Sequence, residues 1–180
     1  MPSLRLALAT VALGAAVGAS QAQDFPAWVL SPSAGTELSA GDCVSASGSM
    51  GVDRQQAVAR ARLALAQQIE IKIEAMDQTY ESRVREGKAD KLTTSFTSAS
   101  KQTVSVTLQG ARVTRTEVVR GRGGDLLCVL VSLERQASEK LPADVIRSAG
   151  VKVDEDTENM LVARFKQAAA ARAQAAPAKS

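Results

Sequence analysis

The chain has 180 residues, 45% of them hydrophobic but only 3% aromatic, with 22 Lys and Arg against 19 Asp and Glu, for a formal net charge of +3. It contains no histidine, which excludes Ser-His-Asp and Cys-His catalysis and the zinc sites that depend on imidazole. The charges of both signs are interspersed and are not interleaved with aromatics, so no nucleic-acid partner is expected.

The first segment reads as a secretion signal over residues 1–22. Arg5 supplies the positive start, Leu6 to Val17 is a continuous small-apolar run, and Ser20 and Ala22 are the small residues that fit cleavage before Gln23. The alternative, a membrane anchor, needs about 18 or more apolar residues, and this run is shorter. No cysteine follows the run to take a lipid, and no later segment is apolar enough to span a bilayer. Removing 22 residues from 180 leaves 158, enough for one domain with a core of Val, Leu, Ile and Ala.

Residues 23–42 contain Pro26, Pro32 and Gly35 and read as an extended lead-in. Trp28, the single tryptophan, is expected to tuck against the domain. Its alternative role is a partner contact. A short strand is predicted over Cys43–Met50, with Gly48 and Gly51 bracketing a turn and Asp53 capping the next helix. Val58, Ala61, Leu65 and Ile69 form that helix's apolar stripe.

From Ile69 to Met76 apolar and polar residues alternate, and the β-branched Ile at every second place favours a strand. A continued helix also fits, through Ile69, Ile73, Met76 and Tyr80. Residues 77–90 are charged and read as solvated. Leu92, Phe96 and Ala99 predict a helix in the first half of 91–109. The second half is open between helix and strand, because Val104, Val106 and Leu108 also alternate.

Ala111–Arg120 and Leu126–Leu133 read as an antiparallel hairpin, the second strand central, joined by a loop of about five residues at Gly121–Asp125. Three glycines and Arg122 in that loop suggest an anion cradle, but a plain hairpin tip explains them. Pro142–Ser148 is predicted as a short helix stopped by Gly150. A last amphipathic helix carries Met160, Leu161 and Phe165, and the Ala-rich tail from 167 to 180 is expected to be disordered. The domain proper is thus placed at 43–166.

Two cysteines, Cys43 and Cys128, lie in strand-like settings 85 positions apart, and in an oxidising compartment their even number favours a disulfide over two buried thiols. Glu70 and Glu74 are the best carboxylate pair for acid–base chemistry. With Lys72 between them they read as an ordinary solvated face, and neither a cofactor nor a metal is expected. An apolar ligand held between helix and sheet would contact Val58, Leu65, Ile73 and Val129, but any core needs these residues too.

Several of these features recur in one order. They are Pro26-x-Trp28-Val29, the small-residue strand with Gly48 and Gly51, and the Ala57/Ala61/Leu65/Ala66/Ile69 helix. Ile71-x-Ile73, Leu108-x-Gly110-x-x-Val113 and the Leu127–Leu133 strand follow. The order resembles the LPP-twenty (FlgP-like) lipoprotein-like family of Gram-negative envelope proteins over roughly residues 26–141. That resemblance implies a small single-domain α+β fold, with helices packed on one face of an antiparallel sheet. It also implies a non-catalytic structural or assembly role in the periplasm, associated with the flagellum or the outer membrane. The expected partner is an envelope protein or a second copy of the chain. The missing lipid-acceptor cysteine departs from the family. The alternative expectation is a small periplasmic module that binds a ligand or partner.

Overall fold

One long helix organises the molecule. The computed structural model describes residues 25–32, 37–87, 96–121 and 123–175, with the side chains of 97, 99 and 169–175 left aside. Among the described residues the elements run α1 (Ala27–Leu30), β1 (Ser39–Ser45), α2 (Met50–Arg85), α3 (Phe96–Gln109), β2 (Arg112–Gly121), β3 (Gly124–Ser132), α4 (Arg135–Ser148) and α5 (Glu155–Ala175). This is the α+β class that the sequence predicts.

α2 has 36 residues and so spans roughly 54 Å. It is rich in Ala, Arg and Gln, all strong helix formers. Ala57, Ala61, Leu65, Ile69, Ile73, Met76 and Tyr80, at steps of three and four, are all buried. The helix stops at Gly87, whose φ of 70° places it in the left-handed region that glycine tolerates, and its N–H donates to the Val84 carbonyl.

The sheet order is β1-β3-β2, all neighbours antiparallel. Strand alternation gives it two different faces. On the inner face Ala40, Val44, Leu127, Val129 and Val131 are buried, and α2 packs over β1 and β3. α3 and α5 pack on α2, and α4 packs against both α3 and α5. Near the C-terminal end of α2, Tyr80 meets Phe96 of α3 edge to face with ring centroids 5.2 Å apart.

The structure revises several expectations. Residues 69–76 are helical and belong to α2, which also runs through 77–85 of the segment expected to be solvated, where Tyr80 is buried. The N-cap is Ser49 and not Asp53. Asp53 lies in the first turn, 3% exposed, and its carboxylate accepts hydrogen bonds from the Ser47 hydroxyl (2.6 Å) and N–H (2.9 Å). That ties the β1–α2 connection to the helix start, where a negative charge suits the helix dipole.

β1 begins at Ser39, ahead of the predicted strand at Cys43, and the lead-in contains the single helical turn α1. The open half of the 91–109 segment is helix, within α3; 91–95 lie outside the described residues. The β2–β3 pairing reaches Gly121 and Gly124, so the hairpin loop is two residues long and not five. α4 starts at Arg135 and holds Pro142 in its interior. α5 is helical to Ala175, with Ala168 buried, so the helix reaches into the tail expected to be disordered from 167. Residues 1–22, read as a secretion signal, and 176–180 lie outside the described residues.

Candidate functional site

The outer face of the sheet gathers the residues singled out from sequence. Cys43 and Cys128 stand directly opposite one another in the β1–β3 register and form a disulfide, with S–S 2.05 Å and Cα atoms 4.0 Å apart. Glu117 of β2 is opposite Cys128, so it shares that face. Trp28 of α1 lies half-buried across it. Its Nε1–H donates to Glu117 Oε2 at 3.2 Å, and the Arg115 guanidinium sits 5.2 Å from its ring centroid. Arg115 also pairs with the same Glu117 oxygen at 3.6 Å.

α1 can approach this closely because Gly41 has no side chain. A Cβ there would stand 3.3 Å from Val29 Cα. Trp28 thus tucks against the domain and straps the segment over the sheet, and its ring is engaged by Arg115 and Glu117.

A second feature is the groove between α2 and α3, with a cavity volume of about 840 Å³. Ala66, Ile71, Val104 and Leu108 form its apolar floor, and Glu70, Glu74 and Lys101 line its rim. Glu70 and Glu74 are one helical turn apart and both exposed, as a solvated face requires. Leu63, two turns before Glu70 on α2, is 60% exposed.

Between α2 and α5 lies a shallower cleft of about 500 Å³, lined by Arg83, Arg164 and Met160 among others. Arg83 donates to the Thr157 hydroxyl at 3.3 Å and faces Glu86 at 3.9 Å, and its Nε is buried with no protein acceptor. Asp154, just ahead of α5, accepts the Thr157 N–H at 2.7 Å. The Thr157 hydroxyl and N–H, with the Arg83 charge nearby, hold its carboxyl below the usual carboxylate range.

Lys72 is not the solvated residue its neighbours suggest. It is 5% exposed, its ammonium donates to the Phe165 carbonyl at 3.0 Å, and it lies 5.2 Å from the Phe165 ring centroid. Burial lowers its pKa from the ordinary lysine value. Lys72 therefore bridges α2 and α5, while Glu70 and Glu74 stay exposed.

Of the residues expected to line an apolar ligand space, Leu65, Ile73 and Val129 are at most 1% exposed and Val58 packs, partly buried, against the core they belong to. The structure fills that space with core. No group of three or more His, Cys, Asp or Glu among the described residues is arranged to hold a metal ion. No described helix is long and apolar enough to cross a membrane. Gly41, Arg115, Glu117 and Lys72 escape sequence reading. Only the neighbouring Arg115 and Glu117, two apart on a predicted strand, carried a signal, that of a same-face ion pair.

Comparison with protein-family models, curated proteins and solved structures finds no match to this chain.

Proposed function

We propose that the chain is a non-catalytic structural or assembly protein of the cell envelope, exported to the periplasm and associated there with the flagellum or the outer membrane. The observation that carries this reading is the Cys43–Cys128 disulfide, a bond that persists in oxidising compartments and is rare in the cytosol. The signal-like residues 1–22 agree with it, as does the order of motifs resembling the LPP-twenty family. The lack of histidine in the whole chain supports a role through surfaces rather than catalysis.

Fractionation of cells producing the full chain tests it. The expected product starts at Gln23, is oxidised at both cysteines, and is found in the periplasm or with outer-membrane or flagellar complexes. A full-length, reduced chain in the cytosol overturns the reading. A second reading, a small periplasmic module binding a ligand or partner, draws on the α2–α3 groove, whose apolar floor and charged rim suit a small amphipathic ligand. Under that reading a ligand raises the melting temperature with its concentration.

A further inference from the structure

We infer that β2 is a homodimerisation edge, and that two copies pair antiparallel about Thr116. The inference rests on the assembly role proposed above and specifies the partner as a second copy of the chain.

β2 has β3 on one side and no further strand on the other among the described residues. The hydrogen bonds set which of its groups face outward. The Leu133 N–H donates to the Leu38 carbonyl and the Ala46 N–H to the Asp125 carbonyl, one residue beyond each end of the β1–β3 pairing. These fix the alternation, in which Cys43 and Cys128 are a pair without mutual backbone bonds. Cys128 therefore directs its N–H and C=O to Glu117 of β2. Thr116 and Val118, the alternate positions, direct theirs away from β3.

The side chains of these two residues lie on the inner face, beyond the cover of α2; Val118 is 50% exposed. A ten-residue strand with outward backbone groups and an uncovered apolar position is built to pair or must be blocked.

Charge selects the register. A two-fold axis at Thr116 makes it an outward, hydrogen-bonded pair with its own copy. Arg115 of each chain then faces Glu117 of the other, at a pair without mutual backbone bonds, where side chains come closest. An axis at Glu117 would instead oppose two carboxylates, and one at Val118 would place Glu117 against Val119. Only the Thr116 register matches opposite charges twice. It converts the Arg115–Glu117 pair within each chain into a ring of two arginines and two glutamates. The bulge between Val113 and Arg115 ends the regular pairing on that side, so the interface is short and centred on 115–118.

Light scattering on the oxidised chain is expected to give twice the chain mass. Glu117→Arg and Arg115→Glu are each expected to weaken self-association by roughly tenfold or more, since two attractions become repulsions. Mixed together, these two variants restore a dimer, because every facing pair is then opposite in sign. Thr116→Pro removes an N–H that β3 does not use, so it should give a monomer with unchanged circular dichroism. A wild-type monomer, or a dimer indifferent to all three substitutions, overturns the β2 pairing. Fractionation separately decides the envelope role, so the two failures are distinguishable.

Discussion

The two faces of the same three strands are held in different ways. The inner face is a dry layer: Leu127, Val129 and Val131 are buried where α2 packs on the sheet. The outer face, one residue along on each strand, has too little cover for that. It is held by a covalent bond between strands and by a tryptophan strap that Glu117 and Arg115 engage. A small domain that can bury only one side of its sheet stabilises the other by linkage.

This contrast can be broken most forcefully at the disulfide. Reducing Cys43–Cys128 should cost about 4 to 5 kcal/mol by loop-closure entropy, a fall in melting temperature on the order of 10 °C. Thermal melts with and without reductant measure it, and an unchanged midpoint would show that the bond does not hold the outer face. Next come two leucines of β3. Leu127→Ala, on the dry face, should cost about 3 kcal/mol, whereas Leu130→Ala, half-buried on the other, should cost about 1. Equal losses in urea titrations would erase the distinction between the faces.

Removing the strap with Trp28→Ala should cost about 1 to 2 kcal/mol, with Gly41→Val producing a similar loss by forcing α1 away. Chemical denaturation of the two variants and their combination checks this; full additivity would mean that they act at separate places.

The smallest effect concerns Lys72, whose charge is buried without a carboxylate. Its folded pKa is lowered, so the unfolded chain binds the proton more tightly. The penalty is present at neutral pH and is relieved as pH rises from the lowered folded value towards the ordinary 10.5. Lys72→Met should therefore be neutral or stabilising by about 1 kcal/mol at pH 7. It should also flatten the rise in stability with alkaline pH relative to the parent chain. An identical pH profile in both would place the ammonium in solvent.

Lys72 also explains where sequence reading fails. The α2 stripe includes positions 69, 72, 73, 76 and 80. A lysine at 72 reads as polar, which breaks the helical period and leaves Ile69, Ile71 and Ile73 looking like a strand; its buried aliphatic stem restores the period. Asp53 misleads in the same way. Its type signals a cap, but it serves the preceding residues from inside the first turn.

β2, β3 and the disulfide were legible because alternation and a Gly-rich turn are local signals, and because two cysteines leave a single pairing. Of the candidate site, only Trp28 and the cysteines were visible. Gly41 matters through a neighbour 12 residues away, and the Arg115–Glu117 pair acquires meaning only once Trp28 and the open edge of β2 are placed beside it.

The cross-strand bond has a mechanical consequence. Tension applied between the lead-in and α5 would pass along the backbone to Cys43, across the sulfurs to Cys128, and out through α4. The backbone between the cysteines, with α2, α3 and β2, would be bypassed by that covalent path. Pulled from both ends, the oxidised chain could therefore lengthen only by the residues outside the bridge.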